Sequence, residues 1–410
     1  MRGPRRLALR TLGACLLAAL ALLPAFRNAA AGETPAPVTI AAILDLTGPG
    51  AALGTAERIG LALAEREVAA RGGIGGRPLR LVVFDSATST QAAERAARIA
   101  IEAERAVVLI GGSTRGPASA LAAVAQRAEV PLIALAEGRG GDESAPPRWV
   151  FQVPPGTSRL ADALAVDLAR RGLLRVGFLE AASPIGSAGR AAFEAAARRR
   201  GLTLAHREVV GDETGDLATI VAAVLAAKPQ AVVVWAIPPL AGAVAQPLLD
   251  LAPGLPHYQS HAALASAFLP LAGAAAAGVR TAVPRVVVAE ALPEADPDRS
   301  RLVAFVREVR AVGGPGSSPF PGYGYDALGL AAAAIAQASS GWDGAEPIAG
   351  HRLDVRDALE VMPDYRGVTG VYRYRPDDHG GLDERALVIV EAVVPPEGKV
   401  ATWRPVPTGR

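Results

Sequence analysis

Residues 107–126 read VVLIGGSTRGPASALAAVAQ. An apolar run meets Gly111 and Gly112, then Ser113, Thr114 and Arg115, and then an alanine-rich stretch with helical spacing. A short continuous apolar run that turns directly into a helix is the pattern of a strand covered on both faces. The unit recurs on either side. VTIAAILDL (38–46) reads as a buried strand, followed by a Gly-rich turn and a helix from about Thr55 to Ala70, with Ile59, Leu63 and Arg66 at helical spacings. ARGGIGGRPLRLVVFD leads into a second strand, and a helix over about 90–104 carries Ala92, Ala96, Ile99 and Ala103 on one side. AVVLI (106–110), EVPLIAL (129–135) and RWVFQV (148–153) are further strands. Alternation of this kind predicts a mainly parallel α/β sheet covered on both faces.

The pattern then restarts. LLRVGFLE (173–180), LTLAHREVV (202–210) and AVVVWAI (231–237) read as strands, with helices over 188–201, from Leu217 to Ala227 and near 241–251. HYQS (257–260) ends a short strand, RVVVAEALP (285–293) is an apolar stretch, and helices near 299–312 and 324–339 follow. GVTGVYRYRPDDHGGLDERALVIVEAV reads as strand and turn, with an Asp/Gly-rich hairpin loop. Two runs of one architecture predict two domains, and 410 residues are enough for each to have its own core.

The N-terminus has a different character. Arg2, Arg5, Arg6 and Arg10 precede an apolar stretch from about Leu12 to Leu23, Pro24 breaks it, and Ala29, Ala30 and Ala31 offer small residues for cleavage. This is the three-part pattern of a secretory signal, too short for a comfortable membrane span. The expected signal is residues 1–31. It contains Cys15, the single cysteine, so the exported product would hold neither a disulfide nor a thiolate metal site. The formal charge of +2 includes five arginines in the first 31 residues, which leaves the remainder slightly acidic. No basic tract with interleaved aromatics suggests nucleic-acid binding.

Open α/β sheets bind ligands outside the carboxyl ends of their strands, and the turn at 111–115 falls at such an end. Its glycines permit tight backbone geometry, its hydroxyls offer hydrogen bonds, and the helix start after it favours an anion such as a carboxylate. A plain helix cap by Ser113 or Thr114 fits the stretch equally well. A nucleotide-phosphate loop does not fit, because no G-x-x-x-x-G-K-[ST] motif occurs. A serine hydrolase would need G-x-S-x-G, and Gly111-Gly112-Ser113-Thr114-Arg115 lacks the second glycine. His206, His257, His261, His351 and His379 have no partner at a diagnostic spacing. His379 in PDDHGG, beside Asp377 and Asp378, reads as a turn rather than a metal site.

Taken in order, five pieces carry a resemblance over about Val38 to Trp403. They are ILDLTGPGAALGTAERIGLALAEREVAARGGIGGRPLRLVVFDSATSTQAA, VVLIGGSTRG, VPLIALA, SPFPGYGYDALGLAAAAI and RGVTGVYRYRPDDHGG. The chain resembles the bacterial periplasmic solute-binding proteins for branched-chain amino acids, the Leu/Ile/Val-binding family of ABC importers. The resemblance implies the type I periplasmic-binding fold: two doubly wound parallel-sheet lobes joined by a three-strand hinge. Lobe one would comprise 33–154 and 286–367, and lobe two 155–285 and 368–408.

It also implies that the solute lies between the lobes, with its carboxylate on Ser113 and Thr114 and Arg115 as a charge partner. Ala136 and Glu137 would occupy the turn after VPLIAL, and Leu53 would stand above the solute. Ile185-Gly186 replaces the tyrosine-glycine usual in lobe two, Gly156 stands near the usual aspartate, and Ser260 and His261 stand where a glutamate often meets the ammonium. Trp235 and Pro238 fall near the usual aromatic position, and Tyr323 and Tyr325 near a helix start that can touch the solute. The carboxylate side of such a site is kept and the ammonium side is changed. The implied activity is non-catalytic capture of a small carboxylate or amino-acid-like solute, for delivery to the membrane subunits of an ABC permease. The implied protein is a periplasmic monomer with no cofactor, no metal and no nucleic-acid partner. A periplasmic sensor on the same fold and an exported serine hydrolase are the alternatives.

Overall fold

A computed structural model describes residues 35–138, 148–211, 216–264, 268–339, 348–395 and 401–406. The expected signal, with Cys15 and its cleavage site, lies outside the described residues. The first layer alternates strand and helix: β1 (Val38–Leu44), α1 (Ala51–Ala70), β2 (Leu79–Asp85), α2 (Thr90–Glu102), β3 (Val108–Gly111), α3 (Arg115–Ala128), β4 (Leu132–Ala134) and β5 (Val150–Gln152). Its strands run in the order β2-β1-β3-β4-β5, and every pairing is parallel. Parallel strands must bury both faces. β1 accordingly sends Ile40, Ala42 and Leu44 into one core cluster and Ala41 and Ile43 into another.

The second layer repeats the scheme with α4 (Thr157–Arg170), β6 (Arg175–Ala181), α5 (Pro184–Arg200), β7 (Thr203–Val210), α6 (Leu217–Ala226), β8 (Ala231–Trp235), α7 (Leu240–Ala243), α8 (Ala245–Leu251), β9 (His257–Gln259), α9 (Phe268–Ala272) and β10 (Arg280–Pro284). Helix starts follow local chemistry: the Ser183 side chain accepts the Gly186 N–H before α5, and Asp216 accepts the Ala218 N–H before α6.

The chain then returns to the first layer as α10 (Arg299–Ala311), α11 (Phe320–Ala338) and α12 (Ile348–Val361), passes through β11 (Tyr365–Arg366) and β12 (Val371–Tyr372), and re-enters the second as β13 (Leu387–Val393) and β14 (Thr402–Pro405). The second sheet reads β14-β13-β10-β9-β8-β6-β7, parallel from β10 to β7 and antiparallel at β13 and β14.

Two doubly wound lobes with three chain crossings are thus the type I periplasmic-binding architecture that the alternation and the resemblance anticipated. Details differ. The strand before the second crossing is Arg280–Pro284, while Arg285–Ala291 winds as 3-10 turns. The amphipathic helix at Ile348–Val361 was not anticipated, nor was β14. Tyr372, Tyr374, Leu382 and Ala386 pack into the first layer's core, which extends past residue 367. That loop is pinned by Asp326 of α11, a fully buried carboxylate that accepts the Val368 N–H at 2.7 Å and the Thr369 N–H at 2.8 Å. No helix among the described residues is long and apolar enough to cross a membrane.

Helices α1 and α11 approach until side chains have no room between them. A Cβ at Gly60 would lie 1.7 Å from the Pro321 carbonyl oxygen, and one at Gly324 would lie 2.1 Å from the Glu57 carbonyl oxygen. Gly60→Ala or Gly324→Ala should each cost about 1–3 kcal/mol through overpacking, read as a lower urea midpoint. Gly350→Ala on α12 meets nothing within 4 Å and should gain about 0.5–1 kcal/mol. An unchanged midpoint in Gly60→Ala would show that the contact is not tight in solution.

Candidate functional site

The pairing Ile43↔Gly111 brings the carboxyl ends of β1 and β3 side by side. Asp45 and Ser113 therefore meet just beyond the sheet edge. Gly112 is required there on two counts: its φ is +76°, and a Cβ would lie 2.4 Å from the Ala118 Cα of α3. Gly54 lets α1 approach equally closely, since a Cβ would lie 2.2 Å from the Asp45 carbonyl oxygen.

The turn holds a carboxylate, and that carboxylate belongs to the protein. Thr114 Oγ1 donates to Asp45 Oδ2 at 2.6 Å, and Ser86 Oγ donates to Asp45 Oδ1. Ser113 Oγ accepts the Asp45 backbone N–H at 3.1 Å. Asp45 is fully buried and Ser113 almost so, while Thr114 is half-buried and Arg115 exposed. Thr114 is the N-cap residue of α3 but makes no side-chain cap bond, because its hydroxyl is turned to Asp45. Neither reading of this turn from sequence foresaw the arrangement. Its signal is the acid in ILDLTG, placed at the carboxyl end of an otherwise apolar strand.

Glu57 lies behind the turn, on the buried stripe of α1 with Gly60, Leu61, Ala64 and Val68. It is fully buried, and neither carboxyl oxygen makes a hydrogen bond of good geometry among the described residues, although the Ser113 hydroxyl lies close by. Burial pushes its pKa up to about 8. The neighbouring Ser113 hydroxyl opposes the shift and the Asp45 charge adds to it. Tyr323 is buried near Glu57 and belongs to the first layer's core.

Ala136 and Glu137 are half-buried at the turn after β4. Thr157 Oγ1, in the first turn of α4, donates to Glu137 Oε2, so this carboxylate sits at a helix N-terminus. From the other layer comes His261. His261 is an exposed residue, yet surrounding protein lowers its pKa while the Glu137 charge pulls the other way, which makes it a candidate for the wall opposite Glu137. Leu53 is half-buried and lines a cavity of about 520 Å³ with Leu264, Val287, Phe320 and Trp403.

The remaining second-layer candidates divide. Ile185 is 37% exposed at the start of α5. Pro238 is half-buried beside a cis Pro238–Pro239 bond. Trp235 and Ser260 face inward instead. Trp235 covers Gly189, where a Cβ would lie 2.1 Å from the indole, and Ser260 Oγ donates to the Ala236 carbonyl at 3.0 Å. Both are held by packing because their strand ends are covered by helix. Asp45, Ser86 and Glu57 are the residues near the site that sequence reasoning missed.

The described geometry has clear counterparts. The model of the family described as periplasmic binding protein matches residues 37–393. The Rp1789 protein of Rhodopseudomonas palustris superposes with a TM-score of 0.75 at 27% identity, over 89% of this chain and 99% of that one. An extracellular ligand-binding receptor from Rhodopseudomonas palustris HaA2 superposes at 0.74 and 26% identity, over 90% and 99%. A leucine-binding protein from Thermotoga maritima reaches 0.67 over 90% and 97%, but at 19% identity that likeness concerns the fold alone. A comparison with curated proteins finds none that matches.

Glu57 sets a pH dependence. Its folded pKa of about 8 stands above the ordinary carboxyl value of 4.5. Its contribution to stability is therefore fully present below the unfolded value and is lost as pH rises through the folded one. The loss is on the order of 4 kcal/mol by pH 9. Burial holds His257 down to about 4 from 6.5, so its contribution is lost as pH falls across that interval. Glu57→Gln should flatten the alkaline fall in melting temperature and leave the acid side unchanged. An unaltered alkaline limb would refute the assignment.

Proposed function

The chain belongs to the periplasmic binding protein family, and from that premise we propose that it captures a small organic solute, unaltered, between its two lobes and presents it to the membrane subunits of an ABC importer. The observation that carries this reading is the two-layered fold itself, crossed three times by the chain, with Glu137 of one layer hydrogen-bonded to Thr157 of the other and near enough to His261 to act on its charge. Two rigid sheets joined only by crossing segments can rotate against each other, and a guest that touches both walls favours the closed arrangement.

The lobes move about the segments near 154, 285 and the stretch from 367 to Leu387. The Arg159–Asp378 ion pair of 3.0 Å ties α4 to the last of these. Leu53, Ala136, Glu137 and the outer face of Thr114 form the lobe-one wall. Ile185, Pro238 and His261 form the wall that closes on it. Ser113, Trp235, Ser260 and Tyr323 support these walls from behind. The carboxylate expected on Ser113 and Thr114 is not part of this reading, because Asp45 occupies both residues. Export with cleavage near Ala31 delivers the chain to the compartment where such capture is useful.

The hydrolase alternative finds little support. Ser113 Oγ accepts a backbone N–H, is buried, and has no histidine partner among the described residues. A sensor that hands its closed form to a receptor uses the same motion, and co-purification with permease subunits rather than a receptor separates the two.

Closure is testable because the single cysteine falls within the expected signal. Arg98→Cys on α2 and Arg199→Cys on α5 place labels on exposed positions of opposite layers. The distance between spin labels should shorten and narrow when pooled amino acids, organic acids, amines and alcohols are added at millimolar concentration. One fixed distance in every pool would sink the capture mechanism.

A further inference from the structure

The arrangement around Asp45 bears on which solutes the cleft accepts, and the argument rests on the capture reading above. A hydroxyl has one proton to donate. That of Thr114 is committed to Asp45 Oδ2 at 2.6 Å, and that of Ser86 to Asp45 Oδ1. Thr114 is half-buried, so what it offers the cleft is oxygen lone pairs. Ser113 is almost wholly buried and spends a lone pair on the Asp45 N–H. Glu137, at the turn after β4, receives the Thr157 proton on Oε2, and no other described residue donates to its Oε1. Arg115 is exposed, with no ion pair among the described residues.

From these observations we infer that Asp45 reverses the polarity of the turn: the lobe-one wall accepts hydrogen bonds from a solute bearing an amine or hydroxyl head group and rejects a carboxylate. Two further facts point the same way. Asp45 already fills the position beside the helix N-cap where an anion would sit. Glu57, buried behind the turn, has its ionisation suppressed mainly by burial and further by the Asp45 charge, so a carboxylate brought close to Asp45 would meet the same repulsion. The altered second-layer wall has no acid at 156, 260 or 261 to receive an α-ammonium. An α-amino acid thus loses both of its anchors here. A donor-headed solute keeps Thr114 and Glu137 as acceptors.

The test uses three matched sets: the amines, the alcohols and the carboxylates of the same aliphatic and aromatic skeletons. Binding is read by titration calorimetry on the exported chain, and lobe closure by the label distance. The expected result is that closing compounds come from the amine or alcohol sets and bind at least about tenfold tighter than the carboxylate of the same skeleton, as a site built for one polar group discriminates. Binding that is confined to amines and weakens with salt identifies a cation, whereas equal binding of the alcohol identifies a neutral donor. Asp45→Ala frees the Thr114 proton and should raise the affinity of the matching carboxylate about tenfold. Asp45→Asn preserves the shape of the turn and should narrow the gap between the sets even if the alanine variant does not fold. A carboxylate that closes the lobes of the unsubstituted protein most tightly overturns this inference and leaves solute capture intact. Silence in all three sets overturns both.

Discussion

The buried carboxylate of Asp45 is the constraint around which the first lobe is arranged. It joins three carboxyl-end segments that are distant in sequence: the end of β1 itself, Ser86 after β2, and the Ser113–Thr114 turn after β3. A buried carboxylate is costly unless its lone pairs are met, and two hydroxyls meet them here. The glycines around it follow from that placement. At Gly50 a Cβ would lie 2.4 Å from Asp45 Oδ2, and at Gly54 2.2 Å from the Asp45 carbonyl oxygen. The chain must come this close for the hydroxyls to reach, and any side chain at these positions would separate α1 from the sheet edge.

The same device recurs at the third crossing. Asp326 is fully buried, and burial raises its pKa to about 6 even though Thr369 and the Val368 N–H donate to it. It fixes the loop that leads from the first layer to β13. Nearby, Glu360 Oε1 takes the His379 Nε2 contact at 3.0 Å, and Arg356 pairs with the same carboxylate. His379 stacks on Phe151 with ring centroids 4.1 Å apart. These contacts tie the connecting hairpin to lobe one. A binding protein of this kind needs rigid walls and a narrow hinge, and the buried polar groups supply the rigidity.

On the capture reading proposed above, function follows from how the two walls differ. The first presents acceptors held by interior bonds, and the second presents His261 and apolar groups beside them. Neither wall encloses a solute alone. Closing them would exclude water and strengthen each polar contact, so recognition and motion would be one event. A fold shared with a leucine-binding protein does not by itself fix which solute is bound, because ligand preference resides in a few side chains on the walls.

Much of this was legible in the residues. Continuous apolar runs such as VTIAAIL and AVVVW alternate with helices, which dictates parallel strands covered on both faces, and the restart after residue 153 dictates two such bodies. Local pattern suffices there because every strand must bury its own side chains. It also placed the turn at 111–115 at a strand's carboxyl end. It did not reveal the occupant of that turn, nor that Trp235 and Ser260 face inward. Ile348–Val361 was missed because His351, Arg352 and Arg356 are buried on a face that composition reads as polar. The polarity of the Thr114 hydroxyl depends on a carboxylate 69 positions away in the chain. No periodicity encodes the direction of a proton across such a separation. Sequence alone determined the layered fold, because burial is local to each strand and helix. Only the folded chain decided which group the Thr114 hydroxyl serves, because that is set by three strand ends meeting in space.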